Sequence, residues 1–241
     1  SVKGRADVIV ELDSRKCAAS HEPSPISCTD ASLNQVHLTW GGVGDLLIEE
    51  GRRITVVPGP NADEDALRLF ILGAGLGVLL HQRGLLVLHA SCVAIDNRGI
   101  GFIGAKGWGK STTTATLHRR GHALISDELL VVRFDDQAQP RVMPGSPQIR
   151  LWSDALISIE SNLDSAVRVR SGIDKYNVYA GNIAAETLPL YCLYLLDVGE
   201  DLSIKLMSPS EAFFGIIPHL YVCRFGGRFL QSTNITHTFK Q

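Results

Sequence analysis

The sequence lacks several features that would assign it to a common class of protein. Lysine and arginine (23) do not outnumber aspartate and glutamate (25), and the net charge is −2 over 241 residues. No clustered basic excess therefore predicts nucleic-acid binding. The longest apolar stretch, Leu69–Leu80, is too short to cross a bilayer. The first residues carry no apolar run of the signal-peptide kind. We expect no nucleic-acid partner and no membrane partner.

Cysteine is sparse and shows no pairing pattern. The five cysteines are odd in number and contain no C-x-x-C pair: Cys17, Cys28, Cys92, Cys192 and Cys223. They predict reduced thiols in a cytoplasmic protein rather than a disulfide framework. At 45% hydrophobic residues the chain can form one large core or two small ones.

Hydrophobic patterning predicts an α/β fold with a mixed β-sheet and a small N-terminal β-rich lobe over residues 1–60. A strand at 7–11 and a loop up to 35 should precede an antiparallel meander of three short runs: Val36–Trp40, Asp45–Glu49 and Arg53–Val57. A core domain over 61–241 should begin with a helix at 61–83, capped near Asn61.

The rest of the core alternates strands and helices. Leu85–Ile95 reads as one strand that forms a hairpin with residues 99–104. The remaining expectations are strands at 122–126, 129–134 and 188–197, a helix at 153–159, a polar segment at 160–187 and a helix opened by the capping box Ser208-Pro-Ser-Glu211. The chain after Phe225 looks cut short.

The chain is organised around Gly104-Ala-Lys-Gly-Trp-Gly-Lys-Ser111, which fits the phosphate-binding pattern G-x-x-x-x-G-K-[ST]. A short buried strand precedes it and a helix follows it, which is the context this pattern requires. The glycines let backbone N–H groups face anionic oxygens, and the helix start adds its positive dipole end. Lys110 can reach the β- and γ-phosphates, and the Ser111 hydroxyl can hold Mg²⁺.

This motif predicts ATP and Mg²⁺ as ligands. The predicted nucleotide-binding residues are Gly104, Ala105, Lys106, Gly107, Trp108, Gly109, Lys110, Ser111 and Thr112. The alternative is a glycine-rich turn that ends in Gly-Lys-Ser without binding phosphate.

Two acids follow the strand that should neighbour the loop strand. Asp127 and Glu128 should alternate faces, so one could address Mg²⁺ while the other accepts a proton from a hydroxyl. A solvated acid pair is the alternative. His89, inside the predicted 85–95 strand, taken alone is more often a hydrogen-bonded core histidine than a catalytic one.

The order and spacing of these motifs resemble those in the catalytic domain of HPr kinase/phosphorylase. The matching segments are Leu88-His-Ala-Ser91, Gly104–Ser111 and Arg120-Gly-His-Ala-Leu-Ile-Ser-Asp-Glu128. A closer resemblance, over roughly 35–220, is to the HPr-kinase-like proteins of peptide-modifying clusters, including kinases of lasso-peptide precursors. It rests on Leu79-Leu-His-Gln-Arg-Gly84, Pro144-Gly-Ser-Pro-Gln-Ile-Arg-Leu-Trp152 and Leu206-Met-Ser-Pro-Ser-Glu-Ala-Phe213.

The resemblance implies a P-loop kinase core that phosphorylates a serine hydroxyl on an HPr-like protein or a ribosomal peptide precursor. It makes Asp127 the catalytic base, His89 the residue that orients and tunes it, Lys110 a catalytic cation, and Ser111 with Glu128 the metal-binding pair. Relatives of this kind form oligomers, so a homo-oligomer is expected.

Other readings stay open. Lys106 could add charge near the phosphates or face water, and Trp108 could stack on a ligand or pack on the surface. Lys175 and Arg150 are further cations for transition-state charge, or a solvated lysine and a salt-bridged arginine. A nucleotide-binding sensor or scaffold with little catalysis is the second hypothesis. A transport ATPase is disfavoured because no Leu-Ser-Gly-Gly-Gln motif is present.

Overall fold

The computed structural model describes residues 6–14, 22–159 and 166–225. Contacts divide the chain into two compact units, one spanning Leu86–Tyr221 and the other containing the chain up to Leu85 and from Val222. The predicted domain boundary after residue 60 stays a prediction. Cys17 and the segment after Phe225 lie outside the described residues.

A mixed five-stranded sheet forms much of the first unit. Its strands are β1 (Ile9–Leu12), β2 (Ser27–Ala31), β3 (Gln35–Trp40), β4 (Gly44–Glu49) and β5 (Arg53–Pro58). The predicted meander of β3, β4 and β5 is confirmed, and β1 joins β5 in parallel. The expectation of a loop over 27–31 is wrong, because β2 pairs with β3 although its own residues are mostly polar and exposed.

Two helical segments follow, α1 (Glu64–Phe70) and α2 (Leu76–Gln82), joined by a π-helical stretch at Ile71–Gly75. The cap is Asp63, two residues after the predicted Asn61, since the Asp63 carboxylate accepts the Ala66 N–H at 3.0 Å. Phe70 is fully buried and meets Trp40 edge-on at 5.6 Å. The predicted helix is thus confirmed, with a corrected N-terminus.

Among its described residues, the second unit contains ten strands in two sheets. They are β6 (Leu86–Leu88), β7 (Ser91–Ile95), β8 (Arg98–Ile103), β9 (Ala123–Ser126), β10 (Leu130–Phe134), β11 (Pro140–Val142), β12 (Gln148–Trp152), β13 (Val167–Arg168), β14 (Lys175–Tyr179) and β15 (Leu188–Leu195). The larger sheet has the order β6-β10-β11-β15-β8-β7-β9 and is mixed, because β15 runs parallel to β8 while its other pairs are antiparallel. The predicted α/β class with a mixed sheet is confirmed.

Two strand predictions in this sheet are wrong. The expected single strand at 85–95 is broken at His89-Ala90, since β6 pairs with β10 whereas β7 pairs with β8 and β9. The strand before the two acids does not adjoin the loop strand, because β7 lies between β9 and β8. The β7–β8 hairpin itself is confirmed. Its turn residues Asp96 and Asn97 have φ values of 49° and 58°, as a type I′ turn requires.

A smaller sheet, β12-β14-β13, lies in the same unit as helices α3 (Lys110–Arg119) and α4 (Ser153–Ser158). A shared apolar cluster holds these elements together: Ala115, Leu124, Ile149, Leu151, Leu156, Ile159 and Ala180. The segment predicted to be polar at 160–187 contains strand residues, because β14 begins at Lys175.

Helix α5 (Pro209–Ile216) has the predicted capping box, with Ser208 and Glu211 bonded reciprocally. It gives way to a 3₁₀ turn at Ile217–His219 rather than continuing to 220. The 188–197 strand is confirmed as β15, but it is not buried, since Tyr191 is 67% exposed. No helix in the described part of the chain is long and apolar enough to cross a membrane.

Candidate active site

The glycine-rich loop joins the end of β8 to the start of α3. Gly104, Gly107 and Gly109 have φ values of 151°, 88° and 84°, a region in which side chains other than glycine are strained. No described atom lies within 4 Å of the position a Cβ would take at Gly107. The loop therefore has open space on one side and a helix N-terminus at its end, which suits an anionic ligand.

Lys110 is buried, and its ammonium group donates to the carbonyl oxygens of Gly104 at 2.8 Å and Ala105 at 3.0 Å. The side chain thus reaches back over the loop that should hold phosphates. Ser111 and Thr112 follow in the first turn of α3. A lysine held at this position by two carbonyl groups can exchange them for phosphate oxygens, because an anion is the stronger acceptor.

Asp127 follows β9 and is almost wholly buried. Its Oδ1 accepts the Ser91 hydroxyl at 2.7 Å and the Ser111 hydroxyl at 2.9 Å, and its Oδ2 accepts the Arg150 backbone N–H at 2.8 Å. The pKa of Asp127 is raised, first by burial and then by the charge of Glu128. The three hydrogen bonds lower this pKa, but they do not cancel the rise. A carboxylate joined to the loop serine is the arrangement in which Mg²⁺ can be held.

Glu128 faces a different set of groups. Its backbone has φ of 72°, which is unusual for a residue with a long side chain. One carboxylate oxygen lies 3.4 Å from Nε2 of His89, and the other accepts the Lys175 ammonium group. Burial would raise the pKa of Glu128, but the His89 hydrogen bond and the Lys175 charge outweigh it and hold the pKa well below its usual range. Glu128 is thus kept ionised.

The contact of His89 corrects one predicted pairing. The sequence led us to expect His89 beside Asp127, whereas the structure places it against Glu128 and gives it no contact with Asp127 among the described residues. Both acids follow the end of β9, and Glu128 has a left-handed backbone, so its carboxylate takes a different direction from that of Asp127. The two acids contact different groups, and the histidine lies against the second of them rather than the first.

His89 is positioned by a segment that sequence reasoning missed. Its backbone N–H donates to the His219 carbonyl at 2.8 Å, and its ring meets the Tyr221 ring edge-on at 6.3 Å. Burial, followed by the charges of Lys110 and His89, lowers the pKa of His219. A residue some 130 positions away in sequence gives no local signal that could have identified it.

The smaller sheet supplies three more groups. Lys175, expected in a loop, lies at the start of β14 opposite Trp152, and the Arg150 guanidinium donates to Asn177 at 3.3 Å. Lys106 lies over the Trp152 ring at 5.4 Å, so its charge is held beside the loop. The edge of the Trp108 ring lies near Gly104, and Trp108 is 38% exposed, which fits a partly packed aromatic.

The residues present fit both predicted ligands. The loop offers open space, backbone N–H groups and Lys110 to a nucleotide tail. Ser111 and Asp127 offer two oxygen ligands, and the described residues contain no cluster of three or more His, Cys, Asp or Glu side chains that would form a metal cage. Mg²⁺ is commonly held by one or two protein oxygens together with substrate phosphates, so this small donor set suits it.

Comparison with solved structures finds a structural likeness. A solved structure described as the HPr(Ser) kinase/phosphatase from Coxiella burnetii is 18% identical, and the match covers 51% of this chain and 73% of that chain with a TM-score of 0.35. No protein-family model matches the chain, and no curated protein matches it. A structural likeness with a TM-score of 0.35 carries no functional argument. The argument for function therefore rests on the side chains of the site.

Proposed function

We propose that the protein is an ATP-dependent serine kinase that acts on a small protein or peptide in the cytoplasm. The observation that carries the proposal is the hydrogen bond from Ser111 of the loop helix to Asp127, with Glu128 held beside it by His89 and Lys175. It supports a site in which a nucleotide tail meets an ionised carboxylate. The motifs of the sequence support membership of the HPr-kinase-like proteins, including those that modify peptide precursors.

Each group of the loop has a defined task in this proposal. The N–H groups of residues 104–112 would bind the phosphates, and Lys110 would leave the Gly104 and Ala105 carbonyls to contact them. Ser111 and Asp127 would hold Mg²⁺, which when bound neutralises charge on the phosphates. Lys106 and Trp152 would border the loop on the side of the smaller sheet.

The base is assigned to Glu128 rather than to Asp127, the residue favoured by resemblance. Asp127 accepts the hydroxyl of the loop residue Ser111, which suits it to hold Mg²⁺ together with Ser111 rather than to take the substrate proton. Glu128 is the more accessible of the two acids, since it is only partly buried whereas Asp127 is buried. The serine Oγ forms a bond to the γ-phosphorus while the bond from that phosphorus to the ADP oxygen breaks. The serine proton passes to Glu128, and ADP leaves.

Three variants test these roles. Binding of a fluorescent ATP analogue would be measured with and without Mg²⁺, and transfer would be measured from γ-labelled ATP to an array of serine peptides with alanine-substituted controls. Lys110→Met should lose binding. Asp127→Asn should lose the Mg²⁺ dependence of binding. Glu128→Gln should bind ATP but transfer at least about a hundredfold more slowly, since general base catalysis contributes about 10²–10⁴.

The outcomes separate the assignments. Two results together would assign the base to Asp127. Glu128→Gln would transfer phosphate at the native rate, and Asp127→Asn would lose transfer but keep the Mg²⁺ dependence of ATP binding. No binding of ATP by the native protein would refute the function as a whole.

A nucleotide sensor or scaffold is the second candidate, favoured by one observation. Both oxygens of Glu128 are engaged, one by His89 and the other by Lys175, and a carboxylate so paired is a weak base. This candidate predicts tight, Mg²⁺-dependent ATP binding with no transfer to any peptide or protein offered.

A further inference from the structure

The smaller sheet has one face packed on the apolar cluster and one open face. Residues directly opposite each other on paired strands share a face, and successive residues alternate between the two faces. Ile149 and Leu151 of β12 are buried in the cluster, and Val178 and Tyr176, which lie opposite them on β14, pack against it. The residues that alternate with these, none of them buried, form what we call the open face: Gln148, Arg150, Trp152, Lys175, Asn177 and Tyr179.

The open face begins at the candidate active site. Its Lys175 contacts Glu128, the proposed base, and the Lys106 ammonium group of the glycine-rich loop lies over the Trp152 ring. Arg150 lies diagonally across from Lys175 in the register of β12 and β14, and residues so placed are about 7–8 Å apart. A substrate that presents a serine to Glu128 can therefore extend over the open face.

Positive charge predominates on the open face. Its charged residues are Arg150 and Lys175, and Lys106 adds a third cation beside Trp152. The two acids next to it are already engaged, because Glu128 pairs with Lys175, and Asp127 accepts the Arg150 backbone N–H and two hydroxyl groups. The charge of this surface is therefore complementary to an acidic partner rather than to a basic one.

Arg150 is the cation with the least compensation. Among the described residues its guanidinium is in no ion pair, and its side-chain hydrogen bond goes from Nε to the neutral Asn177 amide oxygen at 3.3 Å. A guanidinium presents five N–H donors in a planar fork, and two parallel donors of this fork match the two oxygens of a carboxylate. A partly buried arginine that is steadied by an amide and has no acidic partner is suited to recognise a carboxylate.

We propose that the open face binds the peptide or protein substrate, and that Arg150 selects an acidic side chain about two residues from the serine that receives the phosphate. The spacing follows from geometry. Side chains two residues apart in an extended peptide lie on the same side and about 6.4–6.8 Å apart, close to the separation of Arg150 from Lys175, which contacts Glu128. This inference rests on the proposed kinase function, because it names the class of substrate.

Matched peptides test the preference. Each pair of peptides carries one serine and either aspartate or asparagine at a varied distance from it, and transfer is measured from γ-labelled ATP. At a spacing of about two residues, the native protein should show a kcat/KM for the aspartate peptide at least about tenfold above that for its asparagine counterpart, because a hydrogen bond between charged groups is lost in the latter.

Substitution of Arg150 tests the residue. In Arg150→Gln the ratio of the two kcat/KM values should fall to about one, since the amide cannot form the paired bonds. Arg150→Glu should reverse the preference in favour of a peptide with lysine at the same position, which a merely structural role of Arg150 would not produce. Arg168→Gln is the matched control, because it removes the same charge from the other face of the sheet, opposite Tyr176, and should keep the native ratio.

Peptide binding separates this inference from the kinase proposal. Fluorescence anisotropy of labelled aspartate and asparagine peptides, with a non-hydrolysable ATP analogue present, requires no transfer. Acid-dependent binding that Arg150→Gln abolishes, with no transfer to either peptide, would refute the kinase function but support the open face as a site for acidic peptides. Absence of both transfer and acid-dependent binding would overturn both proposals.

Two other results would overturn the inference alone. The native protein could phosphorylate aspartate and asparagine peptides equally at every spacing, which would leave the kinase function standing without this selectivity. Arg150→Gln could slow transfer to both peptides of a pair by the same factor and keep their ratio, which would show that Arg150 acts on the phosphates rather than on the peptide.

Discussion

Replacing Ser91 with alanine tests whether Asp127 is an ionised carboxylate held by buried donors. Ser91 is fully buried in β7, and its hydroxyl donates to Asp127 Oδ1 at 2.7 Å. A hydrogen bond to a charged group contributes about 1.5–3 kcal/mol. Ser111 and the Arg150 N–H remain as donors, so the carboxylate keeps two partners. We therefore expect Ser91→Ala to lower the free energy of unfolding by about 2 kcal/mol.

Ser126→Ala is the matched control. Ser126 is also a buried strand serine, but its hydroxyl donates to the neutral Leu129 carbonyl at 2.6 Å, so its loss should cost about 1 kcal/mol. Urea unfolding followed by tryptophan fluorescence, with EDTA present to remove metal ions, gives both values. The larger loss should belong to Ser91→Ala.

The pH dependence of the same pair of variants adds a second check. The pKa of Asp127 is raised, so its protonation favours the folded state, and stability falls as pH rises through that pKa. Ser91 is one of the groups that lower this pKa, and Ser91→Ala raises it further. The loss caused by Ser91→Ala should therefore be largest near neutral pH and shrink in acid, while the loss in Ser126→Ala stays constant. Equal losses at neutral pH would refute the charged hydrogen bond.

Three other predictions concern stability and reactivity. Asn97→Val should lower the free energy of unfolding by about 1–2 kcal/mol because position 97 has a left-handed backbone, whereas Asn97→Gly should not; equal urea midpoints would contradict this. Ser208→Ala should cost about 1 kcal/mol through loss of the α5 cap and Ser208→Asp should retain it, as thermal unfolding can show; equal melting temperatures would refute the role of the cap. Burial raises the pKa of Cys92 to about 12, so iodoacetamide at pH 8 should not alkylate Cys92 until the protein unfolds. The partly exposed Cys192 should be alkylated in the folded protein, as mass spectrometry can show. Equal alkylation rates at the two cysteines would be inconsistent with a buried Cys92 thiol.

Local features of the fold were predictable because their causes are local. The strand, glycine loop and helix around Gly104–Ser111 depend on backbone freedom at the glycines and on the helix that follows. The type I′ turn at Asp96-Asn97 and the capping box at Ser208 likewise involve residues no more than a few positions apart. Alternating apolar residues predicted the meander of β3, β4 and β5 for the same reason.

Non-local pairing was not predictable in the same way. A single polar, mostly exposed strand such as β2 gives no apolar period, and its strand conformation depends on β3. Lys175 reads as a loop lysine until β12 pairs with β14 and brings it to Glu128. The break at His89 arises because β6 and β7 bind different neighbours, which no property of the segment 85–95 reveals.

The sequence alone determined that a glycine-rich loop lies between a strand and a helix, and it predicted that two acids and a histidine accompany this loop. Only the tertiary structure decided which acid each group contacts: Asp127 meets Ser111 and Ser91, and Glu128 meets His89 and Lys175. The reason is geometric, since the partners lie from 16 to 47 residues away and the direction of each carboxylate is set by the end of a strand and one left-handed backbone angle.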